Sequence, residues 1–179
     1  TYVIINPRVD RSKAASELGN DDPVMEEIVD ADAEGVIVRG AKIHSTSSIM
    51  ASEVFVAHLQ LLRSDEIDYA ISFGIPMPTK GLKVLSRKSF EAHAVSEFDN
   101  PLAYRYDEKY AMMYFNHVKV PWDRILVHRD PGMCRHQFHD TPGHIFQNYL
   151  AQVRLTVKLR FLVGLARAVC ETNGTVRMP

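Results

Sequence analysis

The sequence predicts an α+β chain, a β domain of barrel or sandwich type followed by one long helix. Two observations predict this. At least six short runs rich in β-branched and aromatic residues lie between Tyr2 and Val127, broken by brief Gly, Pro, Asn and Ser turns. From Gly143 to Asn173 the apolar residues fall instead at helical spacing. With 179 residues, 46% of them apolar, there is enough material for one core and part of a second.

Taken in order, Tyr2-Val3-Ile4-Ile5 is a short β run ended by the turn signal Asn6-Pro7. Arg8-Val9-Asp10-Arg11 alternates charge. It reads either as a solvated loop with local ion pairs worth at most about 1 kcal/mol, or as an arginine fork for phosphate or carboxylate. Asp21-Asp22-Pro23 can start a short helix with Val24, Met25, Ile28 and Val29 on its apolar side. Residues 35–44 form a strand with a tight turn at Gly40, which supplies the turn without a Cβ clash. Ser45-Thr46-Ser47-Ser48 then sets four hydroxyls in a row, a good loop and equally a rim for a flat ring ligand. Further strands are expected at 53–62, 68–75, 82–86, 110–120 and 125–127, with 90–100 irregular.

The helix has a start at Asp140-Thr141-Pro142 and a left-handed stop at Asn173-Gly174. Phe146, Tyr149 or Leu150, Val153, Val157, Phe161, Leu165 and Val169 form its stripe, and Arg154, Lys158 and Arg160 a solvated face. At about 1.5 Å per residue it exceeds about 40 Å, too long to pack only on a small barrel. A start at Thr1 and an end just past this helix lead to the expectation of a piece of a larger chain.

Charge and composition remove several function classes. Net charge is −1, so no basic field exists to hold nucleic acid or an anionic membrane. No apolar run is long enough to span a bilayer. Two distant cysteines, Cys134 and Cys170, fit a reducing cytoplasm rather than a disulfide scaffold. Cys134, His136, His139 and His144 lie close in sequence, but their spacing matches none of the usual zinc patterns, so they are read as loop residues before a helix and no metal is expected. There is no Gly-rich dinucleotide fingerprint, phosphate loop or nucleophile elbow.

Three collinear segments carry a resemblance: NPRVDRSK, then EGVIVRGAKIHST with ASEVFVA, then DNPLAYRYDEKYAMMYFNHVKVPWDRILVHRD, followed by VRLTVKL. They resemble the 4-hydroxyphenylacetate 3-hydroxylase family, oxygenase components of two-component flavin monooxygenases, over nearly the whole chain. The resemblance implies an acyl-CoA dehydrogenase-like fold. Residues 1–140 would be its middle β domain, and 141–179 the first helix of a C-terminal bundle. It implies FAD, delivered reduced (FADH2) by a separate flavin reductase, and O2. A phenolic substrate would be hydroxylated ortho to its hydroxyl through a flavin C4a-hydroperoxide, in a cytoplasmic homotetramer.

By position, Arg8, Val9, Asp10 and Arg11 match a segment that contacts FAD. Thr46 and His44 match positions beside the flavin, and Leu59 and Gln60 fall in the substrate-facing loop. Tyr2 stands where many members carry a substrate-binding His. Its hydroxyl can donate to a phenolate, but with a pKa near 10 it is a poor base. Two relatives of other classes share this fold, 4-hydroxybutyryl-CoA dehydratase-like lyases and acyl-CoA dehydrogenases. The first hold an iron–sulfur cluster through cysteines and a histidine, and here no Cys occurs from Ile145 to Ala151, where one of those ligands would be expected. A non-catalytic β module is the remaining alternative, with Tyr2 its one supporting feature.

Overall fold

A computed structural model describes residues 1–7, 12–13, 17, 25–106 and 109–175. In chain order its strands are β1 (Tyr2–Val3), β2 (Glu27–Ala31), β3 (Gly35–Thr46), β4 (Glu53–Val56), β5 (Ile71–Pro76), β6 (Leu82–Ser86), β7 (Tyr110–Pro121) and β8 (Ile125–His128). Two helices follow, α1 (Pro131–His139) and α2 (Gly143–Thr172). The chain divides into two compact units, Thr1–His136 and Gln137–Pro179.

In the first unit one sheet runs β1-β4-β5-β8 and the other β2-β3-β7-β6. Alternation along each strand sends one face inward. Val3, Val54, Val56, Ile71, Phe73 and Ile75 from the first sheet meet Ile28, Val36, Val38, Met113, Phe115, Val118 and Val120 from the second in a single core. Phe73 and Phe115 pack edge to face, centroids 5.8 Å apart. A bridge between Ile5 and Ile43 joins the two sheets along one side, giving the pair a partly closed, barrel-like form.

Three local expectations are corrected. Around Ile28 the chain is strand β2, not a helix, because it pairs antiparallel with β3 and its apolar residues serve a sheet edge. Gly40 lies within β3 and makes no turn. The position needs glycine, because its φ is +120° and a Cβ there would sit 2.2 Å from the Met25 carbonyl oxygen. Residues Pro131–His139, read as a loop, are helix α1, with the Asp130 carboxylate accepting from the Met133 amide at its start.

In the second unit α2 ends where expected, with Gly174 at φ +74°. None of its residues is buried, and the whole predicted stripe from Phe146 to Val169 is exposed.

Candidate functional site

The site begins with two irregularities in one ladder. Strands β3 and β7 pair evenly from Gly35↔Pro121 to Val38↔Val118, then resume one residue out of step at Gly40↔Phe115. The extra residue lies on β7 at Asn116–His117, where His117 has φ +52°. Beyond Lys42↔Met113 the step reverses at Ser45↔Ala111, with the extra residue on β3 at Ile43–His44, where His44 has φ +64°. These are β-bulges, and each switches which side chains face inward. Lys42 and Ser45 are therefore both buried, three residues apart, while His44 is turned outward.

The outward face carries a cleft of about 430 Å³ lined by Ile43, His44, Leu85, Ser86, Arg87, Tyr110, Ala111 and Met112. His44 and Tyr110 meet edge to face at 6.4 Å. The Arg87 guanidinium covers the Phe90 ring at 4.2 Å. Apolar walls with a few polar edges and one cation suit part of a flat, anionic heteroaromatic ligand. Thr46, the last residue of β3, pairs with Tyr110, and its carbonyl accepts from the Thr1 hydroxyl at 3.0 Å. Tyr2 follows directly, half exposed on β1 opposite Phe55. The fold thus brings Tyr2, His44 and Thr46 to one end of the β domain. Arg8, Val9, Asp10 and Arg11 lie outside the described residues.

The inward face holds residues that sequence reading missed. Lys42 is wholly buried; its Nζ donates to Asn6 Oδ1 at 2.7 Å and lies 3.2 Å from Glu26 Oε2. His58 Nε2 is 3.6 Å from the same Glu26 oxygen, and neither ring nitrogen has a hydrogen-bond partner among the described residues. Burial pushes the Glu26 carboxyl up and the Lys42 ammonium down, each opposed by its partner's charge. Burial, with the Lys42 charge nearby, drives His58 well below its ordinary value, so it is neutral at pH 7. Asn6 Nδ2 in turn donates to Gln60 Oε1 at 2.9 Å. Leu59 and Gln60 follow β4 and are both exposed. The one available signal was a lysine inside the apolar run of β3.

Of the cysteine and histidines singled out by spacing, His139 and His144 lie near each other, ring centroids 6.2 Å apart. Cys134 faces inward from α1, and burial pushes its thiol up to about 11. His136 and His139 are exposed. Among the described residues no three His, Cys, Asp or Glu side chains are placed to hold a metal. Nor is any described helix long and apolar enough to cross a membrane.

Residues 1–127 match the family described as 4-hydroxyphenylacetate 3-hydroxylase N terminal. The chain is 33% identical over 187 residues to the oxygenase component of a 4-nitrophenol 2-monooxygenase from Rhodococcus sp., covering 97% of this chain and 33% of that protein. Among solved structures it is similar to the oxygenase component of 4-hydroxyphenylacetate 3-monooxygenase complexed with FAD. There the TM-score is 0.67 and identity 28%, over 76% of this chain and 28% of that one. It is similar, too, to an oxygen-tolerant 4-hydroxybutyryl-CoA dehydratase from N. maritimus, with TM-score 0.68 and identity 27%, over 75% of this chain and 27% of that one. The chain spans about a third of the length of the curated relative it matches.

Proposed function

The chain belongs to the 4-hydroxyphenylacetate 3-hydroxylase family, and from that premise we propose that it is part of a flavin-dependent monooxygenase acting on a phenol. The observation that supports this most is the β3 bulge, which turns His44 into a cleft beside Thr46 and Tyr110. The structure of a relative complexed with FAD supports the cofactor.

In this reading residues 1–140 bind flavin and substrate, and 141–179 begin a helical domain. Reduced FAD, supplied by a separate reductase, activates O2 for transfer to a ring carbon ortho to the phenol hydroxyl. Thr46 offers a hydroxyl to the edge of the flavin ring, with His44 beside it. Arg8 and Arg11, with Val9 and Asp10, form the segment that holds the cofactor, a planar guanidinium being suited to a pyrophosphate. Tyr2 donates to the phenolate oxygen, and Leu59 and Gln60 face the ring. The protein's work is to hold the ring in place and to exclude water, which would divert the activated oxygen to hydrogen peroxide. The assembly is a cytoplasmic homotetramer that meets its reductase transiently.

The test mixes the full-length protein with reduced FAD under anaerobic conditions and then adds oxygen. The expected result is a transient absorbance distinct from oxidised flavin that decays faster when a phenol is present, with hydroxylated product formed. Direct reoxidation releasing only peroxide would overturn the reading.

The equally close fold of the dehydratase supports a second reading, a lyase with an iron–sulfur cluster. A cysteine binds such a cluster as its thiolate, and burial raises the Cys134 thiol to about 11, against that form. Iron and sulfide analysis of the purified protein decides between the two.

A further inference from the structure

His58 shares a buried pocket with an ion pair that is already complete. Lys42 and Glu26 are wholly buried and 3.2 Å apart, so their charges cancel. The same Glu26 oxygen is 3.6 Å from His58 Nε2, which sets one carboxylate oxygen between an ammonium and an imidazole. Neither ring nitrogen of His58 has a hydrogen-bond partner among the described residues. Four places in the chain supply the walls. Asn6 comes from beyond β1, Glu26 from just before β2, Lys42 from β3 and Cys134 from α1. The Cys134 thiol feels the charges of Glu26, Lys42 and Asp130. With His58 neutral the pocket carries no net charge. A proton on His58 would set two cations against one carboxylate in a space closed to water.

We propose that Glu26, Lys42 and His58 form an acid-sensitive latch, which holds the chain at Asn6 and Cys134 over the inner face of β3 and opens locally when His58 takes a proton. Opening admits water, which solvates the imidazolium as the interior does not. It stays local because the pocket residues stand apart from the apolar core of Val36, Phe73 and Phe115. Cys134 packs instead with Ala70 and Val127. The latch also bears on the outward cleft. Ile43, next to Lys42, is bridged to Ile5 and lines that cleft, so opening loosens one of its walls from within. Linkage sets the size of the effect. Burial holds His58 well below 6.5 in the closed pocket, so the open form takes up a proton that the closed form does not. The closed form is fully favoured above pH 6.5, and the open fraction grows up to about tenfold per pH unit below it.

The test is thiol labelling of the full-length protein with 4,4′-dithiodipyridine at pH 7.5 and pH 5, the modified Cys134 peptide being read by mass. Met113→Cys, introduced throughout, places a second thiol in the apolar core to report unfolding of the whole domain. Each rate is divided by that of His58→Gln at the same pH, which removes the pH dependence of thiol reactivity itself. Glu26 and Lys42 also titrate, and Glu26 opposes the effect because burial raises its carboxyl in the closed pocket. Both are retained in His58→Gln, so the quotient isolates His58. It should rise about tenfold or more at Cys134 between pH 7.5 and pH 5, against a limit of about thirtyfold, and stay level at the core thiol. If His58→Gln already labels fast at pH 7.5, the wild-type ratio of Cys134 to the core thiol decides, and it should rise about threefold or more. No rise at Cys134 would overturn the latch. An equal rise at both thiols would overturn it too, since the proton would then be unfolding the whole domain.

Discussion

Strand β3 runs through two interiors that are held together in opposite ways. Its first half contributes Val36 and Val38 to an apolar centre shared with Phe73 and Phe115. Its second half contributes Lys42 to a pocket of Glu26, His58 and Asn6. In the centre, each fully buried Val or Phe stabilises the fold by roughly 1.5–3 kcal/mol through area removed from water. In the pocket, burial works against both charges, and the attraction between Lys42 and Glu26 at 3.2 Å does little more than offset it. The centre makes the fold stable. The pocket makes particular atoms point in particular directions, and the way to break or sharpen this contrast is to perturb each.

The largest effects should come from emptying either interior. Phe115→Ala opens a cavity against Phe73 and should cost about 3–5 kcal/mol in denaturant unfolding. Lys42→Met, which leaves Glu26 buried without its cation, should cost about as much, roughly 3–5 kcal/mol. The contrast sharpens in the double variant Glu26→Leu/Lys42→Met. Stability there should return to within about 1–2 kcal/mol of wild type or exceed it, something no second substitution at Phe73 could do for Phe115→Ala. If the double variant is as unstable as the single, the pocket is a source of stability after all.

A smaller effect is set by pH. Burial holds the folded-state pKa of His58 well below the ordinary histidine value of 6.5, so the unfolded chain binds this proton more readily than the folded one. Its contribution is fully present above pH 6.5 and is lost as pH falls from there toward the folded value. The slope can reach about 1.4 kcal/mol per pH unit for a single proton. His58→Gln should flatten unfolding free energy against pH between about 6.5 and 5 relative to wild type; an unchanged slope would place the titration elsewhere. The smallest effect should be at the surface. Lys119 reaches Asp32 at 2.8 Å and Glu34 at 2.6 Å, all three well exposed, and Lys119→Met should leave the denaturation midpoint almost unmoved.

How far this contrast was legible in the sequence differs between the two interiors. β6 was read correctly as 82–86 and β7 to within a residue, because alternation and the flanking turns carry the signal locally. Helix α2 was legible for the same reason. β2 was misread because Val24, Met25, Ile28 and Val29 also fit a helical face, and only pairing with β3 decides between the two. The pocket was barely legible, its one signal being the lysine inside the apolar run of β3. Asn6, Glu26, Lys42 and His58 are scattered along the chain, each ordinary in its own window, and their meeting depends on which way a bulged strand faces. His44 came from family resemblance, and Thr46 from the run of hydroxyls at 45–48 together with that resemblance. The cleft gives His44 a physical context, while Leu59 and Gln60 acquire one only through Asn6.

The two bulges also bear on how this chain can change length. One adds a residue to β7 at Asn116–His117, the other a residue to β3 at Ile43–His44, and pairing returns to its original register beyond both. Deleting one of these residues alone would put every later pair in the ladder on the wrong face. Deleting one from each strand would cancel, at the expense of the outward turn of His44. Insertions and deletions in these two strands should therefore be tolerated as compensating pairs, one in each strand.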